Sequence, residues 1–228
     1  MPAQPQLPRH RRLRSIRILP ALALAAAALG CTDRMASSDD RWGRSGELIA
    51  MSGGEGGARY ACATCHGARG EGNGFDAPRL AGLPTGYLQK QMEDFAAGLR
   101  PHAVMRDAAR FLDSHERVRV ADHYAALPPL ALPPATAGRA DASVAALYAR
   151  ACESCHGVEG RGSPHGPPLH AQPAFYLAQQ LQDWRAGQRR NDGRQAMLKV
   201  AQQLDEPEIT GLSLYLAAIP PVPEGPAR

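Results

Sequence analysis

The chain has 228 residues, 44% of them hydrophobic and 21% charged, with a formal net charge of +4, a balance that excludes both a disordered polyampholyte and a membrane-embedded protein. The basic surplus sits at one end, because Arg9, Arg11, Arg12, Arg14 and Arg17 precede the first acidic residue, Asp33, and without these five 21 basic residues face 22 acidic ones. No persistent basic face is left for a nucleic acid, and twelve Ile and Val residues against a large excess of Ala and Leu point to an all-α chain.

Residues 1–30 have the plan of an export signal: the arginines, then the uncharged run Ile18 to Leu29, then small Gly30 before Cys31. Twelve residues are too few to span a bilayer, which takes about twenty in a helix, so the segment is expected to be cleaved. Ala28-Leu29-Gly30-Cys31 resembles a bacterial lipobox, in which Cys31 is lipidated and becomes the mature N-terminus. Residues 31–44 would then be a polar tether between a membrane and the first domain.

That domain is expected at residues 45–127. It contains Cys62-Ala63-Thr64-Cys65-His66, a C-x-x-C-H sequence of the kind that attaches a c-type haem. Two thiols about one helical turn apart can reach two vinyl positions along one porphyrin edge, and the next histidine lies under the iron. Gly67 to Gly74 reads as a loop, and no Lys-Ser or Lys-Thr pair follows to make it a phosphate loop. Tyr87, Leu88, Met92 and Phe95 fall near one face of a helix entered at Pro84-Thr85 and closed by Gly98. Asp113 or Ser114 caps a terminal helix carrying Tyr124.

After a Pro/Ala-rich linker at 128–139, residues 140–219 repeat the pattern, with a tail at 220–228. Cys152-Glu153-Ser154-Cys155-His156 lies 90 residues after the first motif, followed by Gly157 as Gly67 follows His66. With one residue deleted, Tyr87-Leu88 meets Tyr176-Leu177, Gln91 meets Gln180, Asp94 meets Asp183, Phe95 meets Trp184, Gly98 meets Gly187 and Arg100 meets Arg189. Asp205, with Pro207, caps a last helix carrying Tyr215. A thioredoxin-like pair needs a βαβ context and a zinc ribbon has no obligatory histidine after its cysteines. Two haems, one per half, are therefore expected, and they would supply core that twelve aromatic residues leave short.

Each proximal histidine, His66 or His156, leaves the opposite face of its iron for methionine, histidine or nothing. Met105 and Met197 lie 39 and 41 residues after these histidines, and each has a leucine seven residues on. Met92 competes poorly, since its counterpart is Leu181. His102, three residues before Met105, is a rival ligand with no histidine counterpart in the second half.

Both C-x-x-C-H-G motifs, the Tyr-Leu helices closed by glycine, and the paired methionine segments make the chain, from Ser45 to Ile219, resemble the two-domain di-haem cytochromes of the cytochrome c4 type. The resemblance implies two tandem class I cytochrome c-like domains, each wrapped around one covalent haem c. It also implies that Pro78 and Pro168, each twelve residues after its histidine, offer a backbone carbonyl to the imidazole N–H. The family carries single electrons in the periplasm between redox partner proteins, often toward terminal oxidases, without acting on a small-molecule substrate. Two His/Met irons would be saturated, so no enzymatic activity is expected. The alternatives are a di-haem peroxidase or sulfur-compound oxidoreductase, which needs one displaceable ligand, and a dedicated subunit of a membrane dehydrogenase or oxidase. Two positions depart from the family: Leu83 stands where the first domain usually has Gln, and Leu169-His170-Ala171-Gln172 replaces Leu-Ala-Gly-Gln.

Overall fold

The structure, a computed structural model, describes residues 45–130 and 141–221. Residues 1–44, with the expected export signal, Cys31 and the expected tether, residues 131–140 and residues 222–228 lie outside the described residues. Among the described residues the regular structure is helical, with a single isolated bridge between Ser163 and Gly166.

In the N-terminal half, helix α1 (Gly46–Ser52) leads through two short 3₁₀ turns into α2 (Cys62–His66), followed by α3 (Thr85–Ala97), α4 (Ala103–Arg110) and α5 (Ser114–Ala126). The C-terminal half repeats the order with α6 (Ala142–Ala151), α7 (Glu153–His156), α8 (Ala174–Arg185), α9 (Ala196–Ala201) and α10 (Glu206–Ala218). Helices α3 and α8 start after Pro84 and Pro173, whose fixed φ suits a helix entrance. Gly98, at φ 78°, closes α3 as expected from its position. Both terminal helices start at an aspartate in a reciprocal capping box, Asp113 with Glu116 and Asp205 with Glu208, and α10 has Pro207 in its first turn.

Each half has its own core. Ile49 of α1, Leu88 of α3 and Val120, Ala121 and Tyr124 of α5 form one, and Leu147, Tyr148, Leu177, Ile209, Leu212 and Leu216 form the other. The first and last helices of each half cross closely, and each crossing is made possible by one glycine. A Cβ on Gly46 would lie 2.0 Å from the Arg119 carbonyl oxygen of α5. In the second half the small residue is on the opposite partner, where Gly211 of α10 faces Val144 of α6. Crossing these helices closes each half around its C-x-x-C-H turn.

Candidate functional site

The two motifs fold alike. In each, the histidine ends a short helix and is followed by a glycine at positive φ, Gly67 or Gly157, so the chain turns sharply. The loop then returns beneath the histidine: the N–H of Gly72 donates to the His66 carbonyl and that of Gly162 to the His156 carbonyl, both at 2.7 Å. Gly72 and Gly162 also sit at positive φ, and a Cβ on either would strike the proline segment that follows.

That segment orients the imidazoles. His66 Nδ1 lies 2.9 Å from the Pro78 carbonyl oxygen and His156 Nδ1 lies 2.9 Å from that of Pro167. The second acceptor is therefore Pro167 and not Pro168, the residue expected at a spacing of twelve. The reason is that the single-residue deletion relating the halves falls inside the loop between glycine and proline, so Pro78 corresponds to Pro167 and Arg79 to Pro168. Both rings are buried. Burial holds each imidazole below its usual pKa, with the proline carbonyl pulling the other way, so both are neutral rings. With Nδ1 committed as donor to a carbonyl, Nε2 is the nitrogen whose lone pair is free for a metal.

The four motif cysteines form no disulfide with one another, and Cys65 and Cys155 are exposed. Burial pushes the Cys62 and Cys152 thiols up to about 11.

Met105 and Met197 lie in the first turns of α4 and α9. Side chains fix both positions: the Met105 N–H donates to His102 Nδ1 at 3.2 Å and the Met197 N–H to Asp192 Oδ2 at 2.8 Å. His102 is thus the N-cap of α4, its Nδ1 occupied by the backbone of its rival ligand. The N-cap position of α9 is Gln195, which makes no side-chain capping bond, and the bond to Asp192 was missed in the sequence because Asp192 is five residues before Met197.

Between the halves, the residues paired by the repeat meet face to face. Arg100 donates to Gln91 of its own half at 2.9 Å and to Tyr176 and Gln180 of the other at 3.1 and 2.5 Å. Arg189 donates to Gln180 of its own half at 2.7 Å and to Gln91 of the other at 3.1 Å. Both guanidiniums are buried, and each stacks on an aromatic ring of its own half, Phe95 or Trp184. Neither forms an ion pair with a carboxylate among the described residues. Buried charge of this kind calls for compensation, and a cofactor bearing carboxylates would supply it. Haem c, which carries two propionates and takes a thiol pair and a neutral imidazole, suits this donor set in both halves.

The cytochrome c family profile matches residues 55–118 and 142–220. The chain is 38% identical over 189 residues to a thiosulfate dehydrogenase electron acceptor of Stutzerimonas stutzeri (strain A1501), covering 76% of this chain and 86% of that protein. Among solved structures, a thiosulfate dehydrogenase (TsdBA) from Marichromatium purpuratum superposes with a TM-score of 0.67 at 36% identity, over 79% of this chain. The match spans 44% of that longer chain. Reduced recombinant cytochrome c4 from Pseudomonas stutzeri superposes with a TM-score of 0.60 at 30% identity, over 69% of this chain and 93% of its own.

Proposed function

This chain belongs to the cytochrome c family as a di-haem, electron-transfer cytochrome of the cytochrome c4 type with two covalently bound haem c groups, and from that premise we propose that it accepts single electrons from a thiosulfate-oxidising enzyme and passes them on. The observation that carries this reading is the duplicated site: two buried neutral imidazoles, each set by a proline carbonyl, each with a methionine in the same half whose backbone N–H is held by a side chain. We assign Cys62, Cys65, Cys152 and Cys155 to covalent attachment, His66 and His156 as proximal ligands, and Met105 and Met197 as distal ligands. When bound, each haem supplies one ferric/ferrous couple. The protein's share is to hold two strong-field ligands per iron, keep water from the metal through the flanking cores, and leave the Cys65 and Cys155 side accessible to a partner. Thioether sulfur favours reduced iron and suits an acceptor.

Two one-electron centres match the donor chemistry, because joining two thiosulfate ions through a sulfur–sulfur bond releases two electrons. The likeness to a thiosulfate dehydrogenase electron acceptor is what selects this partner class. The test is anaerobic mixing of the purified di-haem protein with a thiosulfate dehydrogenase and thiosulfate, following the haem α-bands. Two electrons are expected per chain. Full reduction by dithionite with none by enzyme and thiosulfate would overturn the partner assignment. The longer TsdBA chain favours a second reading, a standing complex with the dehydrogenase, which copurification at stoichiometric ratio would reveal.

The proposed location is the periplasm, with Cys31 lipidated and the domains at 45–127 and 140–219 held on a tether. Cys31→Ser is expected to move the protein from the membrane pellet to the soluble periplasmic fraction with an unchanged spectrum. A variant that still pellets with membranes would defeat the anchor.

A further inference from the structure

The proline carbonyls that orient the two proximal histidines are not equivalent, and the difference lies in the peptide group to which each belongs. The Pro78 carbonyl that accepts from His66 shares its peptide unit with the N–H of Arg79. That N–H crosses into the other half and donates to Gln172 Oε1 at 2.9 Å, while Gln172 Nε2 donates back to the Arg79 carbonyl, also at 2.9 Å. The glutamine side chain therefore grips Arg79 at both of its backbone polar groups. Both residues are buried, Arg79 at 1% and Gln172 at 4% exposure. The Arg79 guanidinium holds the same junction by donating to the His170 carbonyl at 3.1 Å and to the Ala81 carbonyl. Phe75, earlier in this loop, stacks on Phe175 of α8 with ring centroids 4.1 Å apart.

In the C-terminal half neither member of this clamp exists. The Pro167 carbonyl that accepts from His156 belongs to the peptide whose nitrogen is that of Pro168, which has no hydrogen to donate. The repeat places Leu83 opposite Gln172: Leu80 matches Leu169, Gly82 matches Ala171, both at positive φ, and Pro84 matches Pro173. Leu83 is buried and has no amide.

We infer that Gln172 is a positioning residue for His66, acting through the Pro78–Arg79 peptide, so that the C-terminal half tunes the N-terminal haem and receives no equivalent control in return. This rests on His66 being a haem ligand. A hydrogen bond to a peptide N–H draws electron density onto its carbonyl, and the bonds in such a chain reinforce one another. A more electron-rich Pro78 oxygen binds the His66 N–H more strongly, raises the basicity of Nε2 and favours ferric iron. Gln172 therefore lowers the potential of the first centre and leaves the second untouched.

The test is Gln172→Met, close in size and without hydrogen bonds, beside Gln172→Glu, which keeps an acceptor for the Arg79 N–H. Both are studied as full-length di-haem protein by redox titration, with the first centre identified as the one missing from Cys62→Ala/Cys65→Ala. Gln172→Met is expected to raise the first potential alone and to speed hydrogen exchange of the Arg79 amide. Gln172→Glu is expected to bring the potential back to the wild-type value or below it. Equal shifts at both centres would reduce Gln172 to a part of the interface, and no shift at either would refute the relay. Loss of the axial histidine signature from the first haem of the wild-type protein would instead overturn the assignment of His66, a distinct failure.

Discussion

Replacing Cys62 and Cys65 together by alanine is expected to leave one covalent haem per chain instead of two and to unfold most of the N-terminal half. The half is small, and Cys62 itself packs against its core of Ile49, Ala50, Leu88, Leu112, Val120, Ala121 and Tyr124. A core of this size rarely supplies more than about 3–5 kcal/mol without a staple, and the haem is both staple and filling. Unfolding this half also strips Arg189 of Gln91 and Gln172 of Arg79. The loss should therefore weaken the C-terminal half without removing its haem. Haem staining after denaturing electrophoresis and the haem-to-protein ratio measure the first effect, and limited proteolysis measures the second. Two covalent haems in the double variant would defeat the attachment assignment.

Met105→Ala is expected to convert the first centre from a closed six-coordinate site into one that binds carbon monoxide, and to lower its potential by more than about 100 mV, a fraction of the roughly 0.8 V that axial ligation spans. His102→Ala is the control. Its Nδ1 caps α4 by accepting from the Met105 N–H, so its loss frays one turn at a cost on the order of 1 kcal/mol and leaves the low-spin spectrum in place. Spectra with and without carbon monoxide distinguish the two variants. Carbon monoxide binding by His102→Ala, with Met105→Ala unchanged, would assign the ligand to histidine and bring back an enzymatic role.

What could be read in the chain beforehand was chemistry written in side chains at short range. The C-x-x-C-H motifs, the caps at Asp113 and Asp205 and the closing glycine Gly98 are local, and each fixes its own neighbourhood. Backbone acceptors leave no such mark. Pro167 and Pro168 are adjacent, and only the folded loop shows which carbonyl meets His156. Helices α1 and α6 were not foreseen because α1 is only seven residues long and both owe their place to a crossing partner. Gln91, Arg100, Gln180 and Arg189 were visible as repeats, but their crossing between halves is a tertiary fact.

That crossing has a further consequence. Arg100 reaches Gln180 as Arg189 reaches Gln91, the reciprocity of an isologous twofold contact, in which the same patch serves both sides. The chain is built like a homodimer whose subunits have been joined end to end. In a true homodimer every substitution appears twice, and the two sites stay identical. Joined in one polypeptide, each side mutates alone: Arg79 faces no second arginine at Pro168, and Gln172 no second glutamine at Leu83. Fusion is thus what permits the two centres to diverge inside a framework that is otherwise symmetric.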